Sequence, residues 1–175
     1  MGLATSPSGG VHSSAFSACR LVVRRQERPA DVLQFILEGL EVGQQVVVLA
    51  DPHHLQNLAH ALSQGGQQPQ TLLRNGRLIF LTAPECLLEL DRADRPWQRI
   101  PLRRQGPMLR WVSDWSWVYS NGRPHSVILE WQQRVHQFVR SLDALSLCTV
   151  HCGALERRAL LAVLADHRQA ARGRA

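Results

Sequence analysis

Lysine is missing from this sequence: all 20 basic side chains among its 175 residues are arginine. That absence excludes two chemistries. A P-loop needs its lysine to reach the terminal phosphates of a nucleotide, and a Schiff-base enzyme needs an amine to condense with a carbonyl. A long apolar run is missing too. Nothing approaches the roughly 20 residues that a membrane-spanning helix requires. Met1 to Gly10 holds neither a basic residue nor an apolar stretch, so it does not read as a secretory signal. The expectation is a cytoplasmic protein with no membrane partner. A disulfide framework is also lacking. Cys19, Cys86, Cys148 and Cys152 follow no framework spacing, and three of them sit in apolar segments, where a free thiol behaves as a small buried hydrophobe. There is no internal repeat, and no low-complexity tract except at the two ends.

What is present fits one domain of ordinary size. The hydrophobic fraction of 45% is enough for a core, and the charged fraction of 19% is low for a disordered chain. Residues 1–17, rich in Gly, Ser and Ala, read as a flexible arm, 18–168 as a single α/β domain, and 169–175 as a frayed tail. Apolar runs predict strands at Cys19–Val23, Gln45–Ala50, Arg77–Thr82, Leu109–Ser113 and Leu145–Val150. Between them, helical spacing predicts a helix from Pro29 to a stop at Gly43. Others follow from Asp51-Pro52 to Gly65-Gly66, from His125 to Arg140, and from Leu155 to His167. Shorter helical turns are expected over Pro69–Arg74 and Glu85–Asp91, and prolines break the stretch from Arg92 to Gly106. Strands with no polar face, alternating with amphipathic helices, imply a three-layer α-β-α fold with a mainly parallel central sheet.

Several side-chain groups could carry chemistry. The link after the first strand, Arg24-Arg25-Gln26-Glu27-Arg28-Pro29, and the link after the second, Asp51-Pro52-His53-His54, contain no glycine. Neither can wrap backbone N–H groups around a phosphate in the manner of a glycine-rich loop. The arginines of the first link are a solvated charge cluster or an anion site, and the net charge of +6 leaves an arginine-rich nucleic-acid surface as the alternative function. Cys148, His151 and Cys152 fall near a strand end but lack paired Cys-x-x-Cys spacing. His53, His54 and His60 form a second group, His53 and His60 seven apart on one helix face, that no acid or thiol completes in sequence. The expectation is therefore no metal, no cofactor and no catalytic residue, a cryptic thiol or metal enzyme around Cys152 being the third class considered. The densest feature is Trp111-Val-Ser-Asp-Trp-Ser-Trp117, three of five tryptophans around Asp114 at a predicted strand end. Ligands of open α/β sheets bind outside such ends, while Trp111 itself reads as core.

The order of these segments resembles the MEDS domain, the sensory domain of DcmR-type regulators. Phe35-Ile-Leu-Glu-Gly-Leu-Glu-Val-Gly43 resembles that family's helix ending in Gly-Leu-x-x-Gly. Leu72-Leu-Arg-Asn-Gly-Arg-Leu-Ile-Phe-Leu-Thr82 resembles its Leu-Leu-x-x-Gly-x-Leu segment. Leu109 to Trp117 resembles its strand ending in Gly-Glu-Met-Ser-Trp. Leu129-Glu-Trp-Gln-Gln-Arg134 resembles Leu-Glu-Tyr-Glu-x-Arg, and Leu147-Cys-Thr-Val150 its Leu-Cys-x-Tyr strand. The resemblance implies a RecA/KaiC-like fold without a P-loop, used for sensing rather than hydrolysis. It implies a ligand site at Asp114, Ser116 and Trp117, with Glu130 and Arg134 on the adjoining helix. The ligand would be a small molecule or a regulatory protein partner, and the chain could act as a homo-oligomer. The sequence departs from the family in carrying Asp114 where Glu is usual. It also has Ala18 or Cys19, and Val23, Arg24 and Arg25, in place of the histidine and aromatic–acid positions around strand one.

Overall fold

The computed structural model describes residues 18–24, 30–82, 100–102, 108–119, 124–142, 144–151, 161 and 164–165. The expected arm and tail, the helical turns at Glu85–Asp91, most of the proline-broken stretch and most of the Leu155–His167 helix lie outside them. The described elements are β1 (Ala18–Arg24), α1 (Ala30–Glu41), β2 (Val46–Ala50), α2 (Pro52–Gln64), α3 (Pro69–Arg74), β3 (Leu78–Thr82), β4 (Leu109–Asp114), α4 (Ser116–Tyr119), α5 (His125–Arg140) and β5 (Ala144–His151). Each of the five predicted strands is present, its limits shifted by a residue or so. The one-turn helix α4 was not foreseen, since four residues carry no periodicity.

The strands form one sheet in the order β1-β5-β4-β2-β3, and every pairing is parallel. Period-two alternation divides the core in two. Val46, Val48 and Ala50 of β2 face one side with Val112 and Leu147, covered by Ile36 and Leu40 of α1, Leu55, Leu58 and Leu62 of α2, and Leu72 of α3. Val47 and Leu49 face the other side with Trp111 and Val150, covered by Ile128, Trp131, Val135 and Val139 of α5. Those four α5 positions are spaced three or four apart, so they line one stripe of the helix. All five residues of β2 are buried, as an interior strand between two helical layers must be.

This layering fixes a functional geography. From β2 the chain moves outward through α2 and α3 to edge strand β3. From β4, beside β2, it moves the opposite way through α5, on the other face, to β5. The carboxyl ends of β2 and β4 therefore flank the topological switch point, where the two departing loops diverge and leave a crevice.

At the amino end of the sheet, Arg110 ties β4 to α1. Its Nε donates to Gln44 Oε1 (2.7 Å), its Nη1 to the Phe35 carbonyl (2.6 Å) and Glu38 Oε2 (3.1 Å), and its guanidinium lies 4.6 Å from the Phe35 ring centroid. Gly39 makes room for it. A Cβ there would stand 2.6 Å from Arg110 Cδ and 2.9 Å from Nε. Gly39→Ala should gain about 0.8–1.0 kcal/mol of helix propensity but overpack an anchored side chain at about 1–3 kcal/mol. The expected net is a loss of up to about 2 kcal/mol by urea denaturation, becoming a gain in an Arg110→Ala background. Gly43, with φ of +80°, ends α1 in the left-handed conformation that other residues rarely adopt.

Candidate functional site

The switch-point crevice is built by side chains from three strands' ends and one helix start. Asp51 directly follows β2 and caps α2: its Oδ1 accepts from the backbone N–H of His53 (2.9 Å) and His54 (3.0 Å). These two N–H groups would otherwise lack partners at the helix start. The other oxygen, Oδ2, stands 3.5 Å from His54 Nδ1. His54 lies in the first turn of α2, its side chain 39% exposed.

Asp114 ends β4. Leu49 of β2 is in register with Ser113, so Asp51 and Asp114 leave the sheet side by side. Its side chain follows the even positions of β4, toward the α1–α2 layer. Asp114 Oδ1 accepts three hydrogen bonds, from Ser116 N (3.2 Å), Ser116 Oγ (2.7 Å) and Thr149 Oγ1 (3.1 Å), Thr149 being its register partner on β5. Oδ2 is buried without a hydrogen-bond partner among the described residues and lies 3.5 Å from His54 Nδ1. The side chain is 7% exposed. Both aspartates thus use one oxygen to hold the fold and turn the other toward the same imidazole nitrogen. Ligand atoms of Asp51, His54 and Asp114 all lie within 4.8 Å of one another. Among the described residues, His54 stands within ion-pair distance of both carboxylates. The turn after β4 is closed by Trp115 N donating to the Thr149 carbonyl (3.0 Å) and Trp117 Nε1 donating to the Asp114 carbonyl (3.0 Å).

The structure brings Asp114, Ser116 and Trp117 together. Trp117 is half-buried and packs against the α5-side core while its indole N–H reaches back to Asp114. Glu130, exposed, and Arg134, half-buried, lie on α5. That helix covers the face of the sheet away from α2, so neither belongs to the Asp51–His54–Asp114 group. Trp111 is fully buried, as the sequence implied, and Trp115 is buried beside it. What the histidine group lacks in sequence the fold supplies in space: His54 meets two acids, Asp51 and Asp114. His53 and His60 instead pair with Asn57 and Gln64 on the exposed side of α2. Cys148 is buried in β5 with its Sγ 3.2 Å from His136 Nε2. Cys152 lies outside the described residues. Sequence reasoning missed Asp51, His54 and Thr149 as site residues. The available signal was an Asp-Pro-x-His helix start directly after a fully apolar strand.

A test of the capping role follows. Asp51→Ala should cost about 0.5–2 kcal/mol of stability, and Asp51→Asn, which keeps the accepting oxygen, much less; thermal melts of the two variants check this.

Comparison with known proteins is consistent with this architecture. The family described as MEDS, the methanogen/methylotroph DcmR sensory domain, matches residues 18–168. The fold is similar to that of a KaiC-like protein from the hyperthermophilic archaeon Pyrococcus horikoshii. The TM-score is 0.54 at 13% identity, over 79% of this chain and 62% of that one. The chain thus spans less than two thirds of that structure's length. No curated protein sequence matches. No helix among the described residues is long and apolar enough to cross a membrane.

Proposed function

The chain belongs to the MEDS family of sensory domains, and from that premise we propose that it senses a small molecule, or a short segment of a regulatory partner, at the crevice between the ends of β2 and β4. The observation that carries this reading is the buried Oδ2 of Asp114, which accepts no hydrogen bond among the described residues and faces His54 and Asp51. Leaving a buried acceptor unmatched costs about 1–3 kcal/mol, and a bound group that supplies a donor or a positive charge recovers it. Two carboxylates repel phosphate, which argues against nucleic acid at this crevice. The role is binding and regulation, not turnover. The chain has no lysine, and no glycine in the links after β1 and β2, so purified protein should show no magnesium-dependent hydrolysis of ATP or GTP.

A thermal-shift screen of wild type and Asp114→Asn tests the reading. A ligand at 100 times its Kd stabilises the native state by about 2.7 kcal/mol. At roughly 2–4 °C per kcal/mol for a chain of this size, that is a rise of about 5–11 °C. Amine-bearing or multiply donating compounds should produce it in wild type and not in the variant. Equal rises in both proteins, or none in wild type, would contradict the reading.

A further inference from the structure

We infer that Asp51, His54 and Asp114 form a site for one divalent first-row transition-metal ion, such as Zn2+, with a coordination position left over for the sensed molecule. The last part rests on the sensory reading of this crevice; binding of the ion does not.

The distances fit atoms that share an ion. His54 Nδ1 stands 3.5 Å from each of two carboxylate oxygens. An ionic N–H···O hydrogen bond closes to about 2.7–2.9 Å, so both separations are too wide for one. They match the spacing of atoms that share an ion: ligands about 2.1 Å from zinc stand about 3.4 Å apart in a tetrahedron. Both carboxylates are also held in orientation. Asp51 Oδ1 is held by two backbone N–H groups of α2, and Asp114 Oδ1 by Ser116 and Thr149. Each carboxylate is thereby fixed with its second oxygen turned to the centre, as outer-shell hydrogen bonds fix metal ligands. Asp114 Oδ2 is buried and accepts no hydrogen bond among the described residues.

Charge gives the sign of the occupant. Two carboxylates bring two negative charges, while the start of α2 offers only about half a positive charge. With its proton on Nε2, the imidazole faces both oxygens with the Nδ1 lone pair, an arrangement that a cation at the centre satisfies. The donor set then selects the kind of cation. Magnesium and calcium favour all-oxygen shells, and thiolate-preferring ions find no sulfur among these three residues. One imidazole with two carboxylates suits zinc and its divalent neighbours. Three protein ligands leave a position open, as zinc sites that exchange a ligand do.

The experiment is calorimetric titration of chelator-treated full-length protein with Zn2+ alone, alongside His54→Ala, Asp114→Asn and Thr149→Val. Wild type should bind one ion. The first two variants should lose more than the about 10–100-fold typical of an outer-shell change, and Thr149→Val should fall within that range. His54 is partly exposed, so His54→Ala reports on the site even if a variant of Asp114 folds poorly; circular dichroism checks both. Co2+ should give an oxygen–nitrogen spectrum without a thiolate charge-transfer band. No binding at millimolar Zn2+ overturns the inference. So does an affinity unchanged in His54→Ala and Asp114→Asn, or a thiolate band. Because the probe is the ion alone, this result and the small-molecule screen can fail separately.

Discussion

Trp111→Ala should destabilise the protein by about 3–5 kcal/mol, the range for truncating a buried large aromatic. Trp111 is fully buried at the centre of β4, between β2 and β5, and its ring meets Phe138 of α5 edge-on at 5.8 Å between centroids. Its indole N–H donates to Ser113 Oγ at 2.8 Å, itself fully buried. Alanine therefore opens a cavity under α5 and leaves that hydroxyl without its donor. At roughly 2–4 °C per kcal/mol the melting temperature should fall by about 6–20 °C. Trp111→Phe keeps the aromatic packing but leaves the buried Ser113 hydroxyl without its donor, so its cost should stay nearer about 1–3 kcal/mol plus the lost ring volume. Chemical denaturation of the two variants separates cavity from hydrogen bond. Because β4 ends in Asp114, the Ala variant should also loosen the crevice before the molecule unfolds.

Arg110→Ala is expected to cost about 2–4 kcal/mol. The charged hydrogen bonds to buried Gln44 and the Phe35 carbonyl carry most of this, at about 1.5–3 kcal/mol, and the guanidinium over Phe35 adds about 0.5–1. The ion pair to exposed Glu38 adds little, since water and salt screen it. Arg110→Lys should recover little of the loss, because one ammonium cannot meet three acceptors and cover a ring. Glu38 supplies an independent sign. The Arg110 hydrogen bond, then that of Gln34, holds its carboxyl below the usual range. A carboxyl whose folded pKa is depressed contributes stability above its unfolded pKa and loses it as pH falls through the folded one. Arg110→Ala should therefore flatten the acid side of the stability profile slightly, while the main loss persists at neutral pH and in high salt.

The layers of the fold were legible because they rest on local patterns. Val46 to Ala50 has no polar face and can only be an interior strand. Val135 and Val139 repeat at helical spacing, and Gly43 marks a stop only a left-handed residue makes easily. Asp114, Ser116 and Trp117 were legible as one cluster because they are consecutive in the chain and sit at a strand end. The rest of the crevice depends on strand order. That order puts β4 beside β2 across some 60 residues of sequence, and it alone brings His54 to Asp114. Glu130 and Arg134 were placed beside Asp114 by the family resemblance alone; the amphipathic pattern of α5 shows that the helix covers the sheet but not which face, and the Asp114 carboxylate turns to the other one.

The claim that the β2–β4 crevice is the working site is tested most directly by a crystal structure with the compound that most raises the melting temperature. The prediction is ligand density at the ends of β2 and β4, within bonding reach of His54 and Asp114, directly or through one bound ion. Density on the α5 face beside Glu130 and Arg134, or anywhere away from the crevice, would contradict it.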